Sequence, residues 1–252
     1  MISTNKIQNY FKAFDIPRWT FFGCLFLFTL GFGLIINDFV VALMKNDYND
    51  NAWTAIDKFT TQSNMLLFFF TVIYVFFPNH QLLRKNKFLI CTMAYIFFTF
   101  FGYNFILTFT EGKFLDDGTF VSGTYNGSSL AIFSSSITHA LSPIAFIAAG
   151  FTKMYFDKNL QLDKFVKTVL PGMIYPTLYA TYTASIPFVF NTHNPEKTYS
   201  IYGIATDTLN NPTIAWPIIV VMILVFFPGS IAMFYFSYKA IYKKMSKKRH
   251  TY

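Results

Sequence analysis

The chain has 252 residues, of which 54% are hydrophobic, 21% aromatic and only 13% charged, about half the charged share of a soluble domain. A water-soluble globular protein is excluded, because the apolar residues come in runs long enough to cross the roughly 30 Å hydrocarbon core of a bilayer. The net charge of +8 comes almost wholly from lysine, with arginine only at 18, 84 and 249, and the heavy use of Phe, Lys, Asn, Ile and Tyr points to an AT-rich bacterial genome.

In chain order, a polar segment ending at Arg18 precedes the first apolar run, Trp19 to Met44. That run is too long for a signal-peptide core and reads as a retained span. Further spans are read at Phe59 to Phe77, Phe88 to Thr110, Ser128 to Thr152, Phe165 to Phe190 and Thr213 to Tyr238. Lipid offers the backbone no hydrogen bonds, so such segments are helices or barrel strands, and the runs lack the alternation of strands. The expectation is one all-α domain, a polytopic membrane bundle of six transmembrane helices, multi-pass in the cell membrane.

Basic residues accumulate in cytoplasmic loops. Sixteen of the 20 fall in the N-terminal tail, the Pro78 to Lys87 loop, the Lys153 to Lys167 loop and the C-terminal tail. The alternate segments keep only Lys45, Lys58, Lys113 and Lys197 but hold eight of the twelve acidic residues, among them Asp47, Asp50, Asp57, Glu111, Asp116 and Asp117. Both termini are therefore expected in the cytoplasm. The Lys243 to Arg249 run reads as an orientation signal touching anionic lipids rather than a nucleic-acid site. Cys24 and Cys91 read as small core hydrophobes, and His80, His139, His193 and His250 lack ligand-like spacing, so no metal or cofactor is expected. Loops Glu111 to Gly127 and Asn191 to Pro212 are the longest connections. Asn126-Gly127-Ser128 matches a glycosylation acceptor of no expected consequence in a bacterial chain.

The second span is purely apolar only over Met65 to Phe77, too few residues to cross a bilayer that needs about 20. It must therefore take FTTQSN, residues 59 to 64, into the membrane, with some of those polar side chains facing the bundle interior. The fourth span carries SSSITHALSP, residues 134 to 143, in which His139 is the ionisable group set deepest in any span. A neutral imidazole there can act as a general base. Pro143, four residues on, lacks the donor for the His139 carbonyl and is expected to kink the helix. Counting about 1.5 Å per residue from the basic ends puts Thr61 at about 24 Å and His139 at about 20 Å. Asn64, Asn104, Tyr179 and Tyr182 fall at similar heights, which defines one polar layer in the outer half of the membrane.

The segments KFTTQSN, residues 58 to 64, and ITHALSP, residues 137 to 143, resemble the second-helix and fourth-helix motifs of a bacterial family of six-helix membrane proteins. That family is in turn similar to the androgen-induced and androgen-dependent membrane proteins, intramembrane threonine hydrolases of fatty-acid esters of hydroxy fatty acids. The stretch YSIYGIATD, residues 199 to 207, is similar to their Tyr-rich loop before the last helix. By position the resemblance implies a nucleophilic threonine at Thr61, or at Thr60 in the bacterial register, and a histidine base at His139. In the hydrolases a proline follows the histidine by five residues, whereas here Pro143 follows by four.

Three functions are open at this level. The first is hydrolysis of lipid or fatty-acid esters, with Asn64 and then Asn104 as oxyanion donors and Tyr179 and Tyr182 near the substrate. The second is binding or transport of a lipid or small molecule by the same polar layer, in the manner of a substrate-capture subunit. The third is a non-catalytic membrane assembly protein whose polar layer is interhelical hydrogen bonding. Membrane lipids are the expected partners in each, and nucleic acid is not.

Overall fold

The computed structural model describes residues 10–45, 56–108, 113–114, 120–121, 124–125, 127–158, 160–189 and 199–249. Asp47, Asp50, Glu111, Asp116, Asp117, Asn126, His193 and His250, on which expectations were placed, lie outside them. The described residues form long helices, which we number α1 (Ile16–Lys45), α2 (Phe59–Phe76), α3 (Lys87–Phe101, continued by a π-helical Gly102–Leu107), α4 (Ser129–Ser136, π-helical Ile137–Leu141, Ser142–Phe156), α5 (Phe165–Val189) and α6 (Pro212–Val221, π-helical Met222–Phe226, Phe227–Arg249). A two-residue antiparallel pairing, Lys113–Phe114 with Phe120–Val121, lies between α3 and α4.

Five of the helices, α1, α2, α3, α4 and α6, are long and apolar enough to cross a membrane. The α5 helix has 25 residues, about 37 Å at 1.5 Å per residue, but its prolines, tyrosines and threonines keep it outside that group. Starts agree with the sequence reading to within three residues. The larger departure is at the end of α6, which runs on to Arg249. Lysines are good helix formers and need no apolar cover, so the basic tail prolongs the helix beyond its hydrophobic part.

The α3 helix is the centre of the bundle, packed against α2, α4 and α6, while α1 lies across α2 and α4, and α5 rests on α6. The core is aromatic: Phe21, Phe70 and Phe146 meet edge to face or tilted, at ring separations of 5.4 to 5.7 Å, the geometry that ring quadrupoles favour. Small residues permit close approach of backbones. A Cβ on Gly150 would sit 2.6 Å from Met93 Sδ, and one on Gly172 would sit 2.8 Å from Cys91 Sγ and 2.9 Å from Ile231 Cδ1.

The segments rich in lysine and arginine converge at one end. Arg18 Nε donates to the Val75 carbonyl at 2.8 Å, joining the start of α1 to the end of α2. Lys85 and Lys87 clasp Asp163 at 2.8 and 2.6 Å. Asn86 donates to Asp157 and to the Tyr238 hydroxyl, and Tyr238 donates to the same carboxylate at 2.5 Å. The pair of basic clasps holds the Asp163 carboxyl down at about 2, with the hydrogen bonds from Lys85 and Lys87 as the main cause.

Candidate functional site

The site begins with a defect in α4. Pro143 has no N–H to give, and the carbonyl deprived of it is that of His139 in α register or that of Thr138 in the wider π register that this turn adopts. Those two carbonyls are served from neighbouring helices. Asn64 on α2 donates to the Thr138 carbonyl at 2.9 Å and to the Thr60 carbonyl at 2.8 Å. Asn104 on α3 donates to the His139 carbonyl at 2.9 Å and to the Phe100 carbonyl at 2.8 Å. Two asparagines thus hold the distorted turn in place between α2 and α3.

The imidazole of His139 is fixed by what surrounds it. Nδ1 lies 3.2 Å from the Ser135 carbonyl and 3.0 Å from Thr138 Oγ1. A carbonyl only accepts, and Thr138 Oγ1 already donates to Ser134 at 2.8 Å, so Nδ1 carries the proton and Nε2 the lone pair. No described residue forms a hydrogen bond to Nε2. The Tyr103 ring stacks on the imidazole at 3.7 Å and 16°, and its hydroxyl donates to Ser135 Oγ at 2.9 Å. The ring is clamped on one nitrogen and one face.

His139, Tyr103, Thr60, Thr61, Lys58 and Asp38 line one cavity of about 560 Å³ between α1, α2, α3, α4 and the Tyr202 segment. Thr60 is buried and Thr61 is partly exposed, and neither threonine hydroxyl forms a hydrogen bond with His139. The geometry therefore offers an oriented base, two hydroxyls and an ammonium around one polar space. It offers no formed nucleophile–base hydrogen bond, which in ligand-free enzymes often tightens only when substrate arrives.

The entry to α2 is set by tyrosines from distant parts of the chain. The Phe59 N–H, an orphan donor at a helix start, donates to the hydroxyls of both Tyr179 and Tyr202, each at 2.8 Å. Tyr179 donates on to the Asp57 carbonyl at 2.8 Å, and Tyr199 to Asp57 Oδ2 at 2.6 Å. Gln62 reaches the Ile56 carbonyl at 3.1 Å while accepting from Tyr175 at 2.8 Å. Asp57 is buried with Oδ1 unbonded among the described residues. Burial pushes its pKa up, against the opposing Tyr199 hydrogen bond. The YSIYGIATD segment thus positions the KFTT turn by capping it.

Thr60, Thr61 and His139 are accordingly brought together, as their counted depths imply. Asn64 and Asn104 are not oxyanion donors here: both line up at the expected height, but both amide hydrogens of each are committed to carbonyls, a correction that follows from the broken ladder at Pro143. Tyr179 borders a neighbouring apolar cleft with its hydroxyl tied to Asp57, and Tyr182 is 40% exposed and lines neither space. Sequence reasoning missed Tyr103 and Lys58 as cavity residues. Tyr103 adjoins Asn104, so depth was legible, but its facing depends on the π turn Gly102–Leu107. Among the described residues no three His, Cys, Asp or Glu side chains gather as a metal site.

Residues 132–244 match a family described as "Protein of unknown function (DUF1600)". Over its length the chain is similar to the "Uncharacterized protein MG452 homolog" of Mycoplasma pneumoniae, at 35% identity over 91% of this chain and 88% of that protein. It is similar also to "Uncharacterized protein MG452" of Mycoplasma genitalium, at 32% identity over 97% of this chain and 90% of the relative. A third relative, "Uncharacterized protein MG133" of Mycoplasma genitalium, is 29% identical over 63% of this chain and 66% of its own length. No solved structure matches. This chain's own apolar helices suggest a multi-pass membrane protein, and with a relative this similar across nine-tenths of its length it belongs to the MG452 family of mycoplasmal proteins.

Proposed function

We propose that the protein is an intramembrane hydrolase of lipid or fatty-acid esters, with His139 as base and a hydroxyl of the Thr60–Thr61 pair as nucleophile. The observation that carries this is the shared cavity, in which both threonines and the oriented imidazole of His139 border the same polar space. A threonine oxygen attacks the ester carbonyl carbon as its proton passes to Nε2, and that proton then leaves with the alcohol; water, deprotonated by the same nitrogen, adds to the acyl carbon, the bond to the threonine oxygen breaks, and the proton on Nε2 returns to that oxygen as the acid departs. The Lys58 ammonium is the cavity's candidate for stabilising the oxyanion. The resemblance of KFTTQSN and ITHALSP to the threonine hydrolases supports the same assignment.

The test is labelling of purified protein by a fluorophosphonate probe. Wild type is expected to label, the Thr60→Ala/Thr61→Ala double variant not to, and His139→Ala to label at least 10-fold more slowly, at the low end of general-base effects. Labelling that survives the double variant overturns the nucleophile. A second reading, binding without chemistry, is favoured by the absence of a hydrogen bond from either threonine to His139. Its signature is no labelling, no ester turnover and a ligand that co-purifies.

We further infer six crossings, α5 included, with both termini in the cytoplasm. The support is the 16 basic residues in the segments that belong to one end. With Cys24 and Cys91 replaced, Ser200→Cys should react with an impermeant maleimide in intact cells and Ser246→Cys only after lysis; the reverse pattern refutes the orientation.

A further inference from the structure

Beside the polar cavity lies a second space of about 100 Å³, enclosed by apolar side chains of α3, α5 and α6, including Phe98, Ala180, Ile219, Met222 and Ile223. The two spaces share a wall made of Thr60, Tyr103, Leu107 and Tyr202. The apolar cleft exists because α5 packs on the Phe227–Arg249 part of α6 and diverges from Pro212–Val221. Each of the three π-helical turns among the described residues borders one or both spaces: Gly102–Leu107 both, Met222–Phe226 the apolar one, Ile137–Leu141 the polar one. Such turns widen a helix locally and recur where ligands bind.

We propose that the cleft holds the hydrocarbon chain of a single-chain amphiphile whose polar group lies in the adjoining cavity. The occupant follows from the pairing. An apolar space that shares four wall residues with a polar one lined by Lys58, His139, Thr60 and Thr61 matches a molecule with one acyl chain and one oxygen-rich head. It does not match a wholly polar solute or a wholly apolar one. The chain–head junction then falls at Thr60, which borders both spaces, rather than at Thr61, which borders only the polar one. This inference deepens the hydrolase reading and rests on its choice of site, but not on any chemical step.

The experiment uses full-length protein in phosphatidylcholine nanodiscs and a palmitic-acid analogue carrying a mid-chain diazirine and a terminal alkyne. Irradiation should cross-link it to cleft residues such as Ala180, Ile219 or Met222, as read by peptide mass spectrometry. Cross-linking should fall at least tenfold in Ala180→Trp and in the milder Ile219→Phe. Competing free fatty acids should gain about fourfold in potency per added methylene while the chain still lies within the cleft. Leu224→Trp on the lipid-facing side should change nothing, since Leu224 is 69% exposed. Cross-links spread over exposed residues such as Leu170, Leu178 and Leu224, and unchanged in both filling variants, overturn the proposal. Cleft cross-links without fluorophosphonate labelling keep the chain site and remove the hydrolase, whereas labelling with cross-links elsewhere does the opposite.

Discussion

Replacing Asn104 by alanine should destabilise the bundle because it removes the donor that serves the His139 carbonyl across the α3–α4 interface. Two hydrogen bonds from the amide are lost, together with the acceptor for Tyr125, whose hydroxyl lies 2.5 Å from Asn104 Oδ1. The His139 carbonyl is the group that matters most, because the residue four positions on is Pro143 and offers it no N–H. An unsatisfied buried carbonyl costs about 1–3 kcal/mol in soluble proteins, and interhelical hydrogen bonds in membranes reach at most about 1.7 kcal/mol, which sets the expectation at about 1–2 kcal/mol. Asn64→Ala should cost a similar amount through the Thr138 carbonyl. The causal link to Pro143 is tested by a double-mutant cycle: Pro143→Ala restores an N–H to α4, so the cost of Asn104→Ala should shrink by at least 0.5 kcal/mol in that background. Unfolding by SDS titration in mixed micelles gives the free energies. If Asn104→Ala and Asn64→Ala both lie within 0.5 kcal/mol of wild type, or the cycle shows no coupling, the account of α4 as a proline-broken helix held by two amides is wrong.

Gly172→Ala should destabilise by about 1–3 kcal/mol, the usual cost of an extra methyl in a filled interface, because its Cβ would meet Cys91 and Ile231 below 3 Å; the same SDS titration checks it, and a neutral result would mean that α5 is free to shift. The Lys85 and Lys87 clasp lowers the Asp163 pKa from 3.8 to about 2 in the fold. A carboxyl whose folded pKa is depressed stabilises above its unfolded pKa, so this contribution is expected to be lost as pH falls from about 4 to 2. Asp163→Asn should flatten stability against pH across that interval, and added salt should weaken the contribution in wild type, since these charges are near the surface; an unchanged acid limb in the variant would show that the clasp contributes nothing.

Hydrophobic length and charge placement are local properties, and they sufficed to locate the six long helices among the described residues, to pair the basic segments at one end, and to require that FTTQSN belong to the second helix. Helical rise converts residue counts into depth, so Thr60, Thr61, His139, Asn64 and Asn104 could all be placed in one layer from the sequence. Depth does not say which way a side chain faces. That was decided by Pro143 and the π turns, which shift the helix register so that carbonyls of α4 meet Asn64 and Asn104 while Tyr103 is laid on His139. The divergence of α5 from the Pro212–Val221 part of α6, which opens the apolar cleft, is a property of interhelical packing that no single segment encodes. The sequence by itself determined what lies at each height along the helices; only the tertiary structure decided which groups face each other there, because the angle around a helix axis changes with every irregular turn while the rise along it hardly does.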